Sequence, residues 1–143
     1  MIARYCLALL SLVLFSAGLS ALPLDKGPVL IRITPQVMEP DHTVSWKDDL
    51  DSKTLPGHAV VVSIEANHVT ILVSVTPYVL PDGYLLVVQG DVRQSGPEGL
   101  RRSSSVQSLQ VKPRQAIVFF PLGRADPASR EMEVLISVEN GGD

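Results

Sequence analysis

Apolar and polar residues alternate with a period of two over most of this chain, and the alternating runs are punctuated by Pro, Gly, Asp and Asn. Apolar spacings of three to four residues, the mark of an amphipathic helix, are hard to find. Val29, Ile31 and Ile33 oppose Leu30, Arg32 and Thr34, and from Ala59 to Glu65 the residues Val60, Val62 and Ile64 share one face. The cleanest run, Val69 to Thr76, sets Val69, Ile71, Val73 and Val75 against Thr70, Leu72, Ser74 and Thr76. Tyr84 to Val92, Val106 to Val111, Ala116 to Phe120 and Met132 to Val138 complete the predicted strands. The predicted fold is all-β, an antiparallel sandwich or partly closed barrel of about seven strands.

Two tight hairpins are expected. Glu65-Ala66-Asn67-His68 joins two strongly apolar strands, with Asn67 suited to the left-handed conformation that short loops demand. In Pro81-Asp82-Gly83 the proline presets φ, and the glycine accepts a positive φ without a Cβ penalty. Strands flanking both turns are apolar on nearly both faces, which predicts central or covered positions. There is also an internal echo. Ile33-Thr34-Pro35-Gln36-Val37-Met38-Glu39-Pro40-Asp41 returns, one residue shorter, as Val75-Thr76-Pro77-Tyr78-Val79-Leu80-Pro81-Asp82. Each copy reads as a strand ended by proline, which has no donor for a ladder, then two apolar residues before a Pro-Asp turn. The polar stretches 41–57 and 94–105 read as surface loops, the first holding a short strand near Thr43 to Trp46.

Ahead of these patterns, Met1 to Ala21 reads as an export signal. Arg4 supplies the positive start, Cys6 to Leu14 the apolar run, and Ser16, Ala17, Gly18, Ser20 and Ala21 the small residues before cleavage. The competing reading is an uncleaved anchor, for which Cys6 to Leu22 just reaches the necessary length. With cleavage, residues 22–143 form a single exported domain with no stable membrane span. The chain's only cysteine, Cys6, lies inside the leader, so this domain relies on its core and not on disulfides. No Asn-x-Ser/Thr acceptor occurs either, and the two absences together point to a bacterial periplasmic or secreted location. Eleven of the 12 Lys and Arg follow residue 21, against all 15 Asp and Glu, giving this part a net charge of −4. Nucleic acid is excluded as a partner class, because binding a phosphate backbone needs clustered positive charge.

Candidate chemistry is sparse. Asp48, Asp49 and Asp51 offer oxygens to a hard cation, but their spacing is not that of a calcium loop, and a solvated acidic loop is the better reading. Trp46 beside them is expected as a core plug, with an exposed contact aromatic as the alternative. His42, His58 and His68 are placed too far apart for a zinc site, the last two at opposite ends of one predicted hairpin. No Gly-x-Ser-x-Gly elbow is present, Ser103 to Ser105 fall in a predicted loop, and Glu65, Asp91, Glu131, Glu133 and Glu139 give no evident acid–base pair. Glu131 and Glu133 read as the wet face of the last strand. The chain is therefore expected to be no enzyme and to need no cofactor or metal.

From Val69 onward the pattern resembles the C-terminal module of bacterial secretins, the outer-membrane gates of secretion systems. The residues that carry the likeness are Val75-Thr76-Pro77-Tyr78-Val79, the Asp82-Gly83 turn, Leu85 to Val92, Arg102 to Gln110 and Gln115 to Gly123. The sequence departs at Phe119-Phe120-Pro121-Leu122-Gly123, where that family has a glycine-rich lip. The resemblance implies an outer-membrane oligomer component. The residues themselves favour a non-catalytic structural or protein-binding module of the cell envelope, with binding by strand addition or through the polar loops. A ligand- or carbohydrate-binding domain using loops 41–57 and 94–105 is the further alternative. Trp46, Asp48, Asp49, Arg101, Arg102, Phe119 and Phe120 are the candidate partner contacts, the last two on a predicted edge or contact strand, Ile117 to Pro121, for which plain core is the slightly better reading.

Overall fold

A computed structural model describes residues 27–142. The export-signal reading of Met1 to Ala21 lies outside the described residues. Among the described residues nine strands follow one another: β1 Val29–Met38, β2 Val44–Lys47, β3 Leu50–Thr54, β4 Val60–Ala66, β5 Val69–Leu80, β6 Gly83–Gly96, β7 Gly99–Val111, β8 Ile117–Phe119 and β9 Glu131–Asn140. They build two antiparallel sheets that pack face to face as a sandwich, not a closed barrel. One sheet runs β2-β1-β9-β8, with β3 also on β1, and the other is the meander β4-β5-β6-β7. Among the described residues no helix is long and apolar enough to cross a membrane.

The period-two pattern explains the core. Val29, Ile31 and Ile33 of β1 and Val134, Ile136 and Val138 of β9 point inward from the first sheet. Ile71, Val73 and Val75 of β5 meet them from the second, together with Leu86, Val88 and Val92 of β6. Each fully buried aliphatic side chain contributes about 1.5–3 kcal/mol of transfer free energy. The charged residues of β1 and β9 fall on the opposite, wet face. There Asp51, Arg32, Glu139 and Arg114 form a chain of ion pairs at 3.5, 3.3 and 3.0 Å.

Among the described residues nine strands replace the seven expected, the two added being β2 and β3, and the second expected loop lengthens strands without adding one. The stretch 41–57 carries β3 as well as β2, because β1 offers successive portions of one edge to them: residues 29–33 pair with β3 and 36–38 with β2. The stretch 94–105 is no loop. Gly96-Pro97-Glu98-Gly99 is a tight turn, and Ser103 to Ser105 lie within β7.

The prolines do not end their strands. Pro35 and Pro77 sit inside β1 and β5, both buried. The Pro35 carbonyl accepts from the Asp48 amide at 3.0 Å, so the side lacking an N–H faces the junction between β2 and β3. The Pro77 carbonyl accepts from the Gly57 amide at 2.7 Å, beyond the start of β4 at Val60. Both copies of the sequence echo thus place a proline where the neighbouring strand has stopped and no ladder donor is wanted. At the first hairpin the left-handed residue is His68, with φ of 64°, and not Asn67. Its strand β4 is an edge and not a central strand, which leaves Val61 exposed.

Candidate functional site

The longest edge strand among the described residues is β7. It pairs with β6 over 13 positions, from Tyr84 with Val111 to Gly96 with Gly99. Every residue from 93 to 108 is exposed, so this hairpin projects past the cover of the opposite sheet and is wet on both faces. Val106 is 62% exposed and Leu100 55%, unusual positions for apolar residues in a paired strand.

The hydrogen-bond phase fixes which backbone groups remain open. The Ser95 amide donates to the His68 carbonyl at 2.9 Å, on the β5 side. Odd-numbered residues of β6 therefore face β5 and even-numbered ones face β7. Across the uninterrupted β6–β7 register, the partners of those even-numbered residues are odd-numbered on β7. Leu100, Arg102, Ser104, Val106, Ser108 and Gln110 are left with N–H and C=O groups directed away from the sheet.

Other edges are protected in the ways natural sheets use. β8 has three residues between Pro113 and Pro121, β2 has four, and β4 has seven following Pro56. β7 has 13 residues with no proline, acid, lysine or register shift. Its charge is confined to the hairpin end, where Arg101 pairs with Glu98 at 2.7 Å and Arg102 stands directly opposite Arg93. An open cleft of ≈ 400 Å³ lies beside that turn, lined by His68, Val69, Arg101 and residues 94–99.

The residues singled out from the sequence divide into two groups. Trp46 lies on β2 and is 43% exposed, so it is no core plug: β2 pairs with residues 36–38 of β1, away from the centre of the sandwich. Asp48 and Asp49 occupy the turn after it. The Asp49 carboxylate accepts from Thr34 Oγ1 at 2.8 Å and pairs with Lys47 at 3.1 Å, which hold its carboxyl below the ordinary value of 3.8. Asp48 Oδ1 accepts the Asp49 amide at 2.9 Å. These carboxylates serve the turn, and no group of three or more metal-ligand side chains is gathered among the described residues.

On the opposite side of the sandwich lie Arg101 and Arg102 of β7, with Phe119 and Phe120 at β8. Phe119 is 1% exposed and belongs to the core, not to a contact surface. Phe120 is half-buried, with the Arg124 guanidinium 4.5 Å from its ring centroid. Glu131, Glu133 and Glu139 sit on the wet face of one sheet, and Glu65 and Asp91 on that of the other. The bulk of the sandwich separates the two sets. Sequence reasoning missed the β7 edge; the signal available was the Gly96-Pro97-Glu98-Gly99 turn, which asks for equal runs on both sides.

This geometry is that of an antiparallel β-sandwich with one long open edge. No protein-family model, curated protein or solved structure matches the chain.

Proposed function

We propose that the chain is a non-catalytic, exported protein-binding module of the bacterial cell envelope, whose β7 edge receives an extended strand. The observation that carries this reading is the row of outward backbone groups from Leu100 to Gln110 on an unprotected edge. An added strand satisfies those groups and covers Val106 and Leu100. The cell-envelope setting rests on the leader-like residues 1–21 and on the lack of cysteine after Cys6. The edge is favoured over the loops because 94–105 is mostly strand and 41–57 holds β2 and β3.

The test is site-directed photocrosslinking in a diderm bacterium, with a photoreactive residue at Val106 on β7 or at Val61 on the β4 edge. Adducts from position 106, absent at 61 and removed by Ser104→Pro, are expected. Ser104 directs its N–H outward, so proline there blocks the edge while leaving the β6 ladder intact. Equal adducts at both sites, or adducts indifferent to Ser104→Pro, overturn the reading. A heat-resistant multimer in the outer-membrane pellet points instead to the secretin-like alternative, for which β5, β6 and β7, at 12, 14 and 13 residues, have the strand length.

A further inference from the structure

We infer that the strand received by β7 is the β7 of a second copy of this chain, running antiparallel about a two-fold axis at Ser105. This rests on the strand-addition reading and names its partner. Ser105 is the midpoint of Gly99–Val111, so a two-fold axis there pairs the whole strand with its copy. The hydrogen-bond phase agrees. Outward-facing residues must meet outward-facing residues, and in this register Ser104 lies opposite Val106 of the second copy and Arg102 opposite Ser108.

Charge selects the same arrangement. All charge on β7 is at Arg101 and Arg102, near one end, and residues 103–111 are uncharged. An antiparallel pair puts the two arginine clusters at opposite ends, facing Leu109 and Ser108 of the other copy, whereas a parallel pair would stack them. Like charges set directly opposite one another destabilise a ladder. Small Ser103, Ser104 and Ser105 at the centre leave the backbones free to approach. The two Val106 side chains become diagonal neighbours on one face and shield each other from water. The product is a continuous sheet of twice the four strands in β4-β5-β6-β7, with β7 no longer an edge.

Sedimentation equilibrium of the purified exported protein, with a cysteine crosslink, tests this. Ser105 turns its own backbone groups towards β6, so the two copies form a non-hydrogen-bonded pair at the axis, with Cα atoms ~4.5 Å apart, within disulfide range. A concentration-dependent mass of two chains is expected, with Ser105→Cys forming a disulfide dimer on mild oxidation. Gln107→Cys should not crosslink to itself but should crosslink to Ser103→Cys when the two are mixed. Ser104→Pro should restore the mass of one chain with unchanged circular dichroism. A single-chain mass at high concentration without the Ser105→Cys disulfide overturns the dimer. If position 106 still yields Ser104→Pro-sensitive adducts in cells, the edge serves another partner; if those are absent too, the strand-addition reading falls with it.

Discussion

The Phe119 ring lies against the backbone of Gly90: a Cβ on that glycine would stand 2.9 Å from Phe119 Cζ and 3.0 Å from Cε1. This contact ties the three-residue strand β8 to the centre of the opposite sheet. It explains how so short a strand keeps a fixed place and why β6 carries a glycine among Val88 and Val92. A larger residue at 90 would displace the largest fully buried side chain of the core.

Gly90→Ala should therefore destabilise the domain by about 1–3 kcal/mol through overpacking, and Phe119→Ala by about 3–5 kcal/mol through the cavity it leaves. Combining Gly90→Ala with Phe119→Leu should cost less than the sum of the single changes, because the smaller side chain makes room for the methyl. Urea midpoints of the four proteins measure the coupling. Strict additivity would mean that the ring can move aside freely.

Proline tolerance should follow the hydrogen-bond phase of β5. Pro77 turns its missing donor to the space beyond β4, so Pro77→Val should change stability by less than ~1 kcal/mol. Thr76 faces β6 opposite Val87, and Thr76→Pro should orphan a ladder carbonyl at a cost of about 1–3 kcal/mol before any backbone strain. Thermal unfolding of the two variants gives the comparison, and equal losses would contradict the assigned phase.

Folding lowers the Asp41 and Asp49 carboxyls and raises the Tyr84 phenol, which act on stability at opposite ends of the pH range. Hydrogen bonding from Thr34, with Lys47 nearby, depresses the Asp49 carboxyl in the fold. Its stabilising contribution is present above the ordinary value of 3.8 and is lost as pH falls through the folded value. Burial, and then the Glu139 charge, raise the Tyr84 phenol. Stability therefore falls as pH rises past 10.0, where the unfolded tyrosine ionises first. Thr34→Val should return the Asp49 titration, followed by NMR, towards 3.8 and flatten the acid limb of Tm against pH; an unchanged titration would remove the Thr34 hydroxyl as its cause.

Trp46 is the chain's one tryptophan, and it is exposed on β2. Native fluorescence should resemble that of the unfolded chain and be quenched as readily by acrylamide, so unfolding has to be followed by circular dichroism. Trp46→Ala should alter stability by less than ~0.5 kcal/mol. A blue-shifted, quench-resistant native spectrum would place the indole in an interface.

The sequence alone determined the all-β class, the inward faces of β1, β4, β5 and β9, and both two-residue hairpins. Each rests on interactions between near neighbours: alternation puts Ile31 and Val73 on one side of their strands, and Asp82-Gly83 closes a turn with its own backbone. Tertiary structure decided the rest. Pro35 and Pro77 look like strand ends until the neighbouring strands are seen to stop beside them. Trp46 looks like core until β2 is seen to lie at the rim, and Phe119 could be contact or core until Gly90 receives it. The serine run reads as a loop because its residues are small and polar on both faces, yet the β6 ladder and the Pro97-Glu98 turn hold it as a strand. Strand order makes β7 an edge, and strand order depends on pairings between residues far apart in the chain, which period-two alternation cannot express.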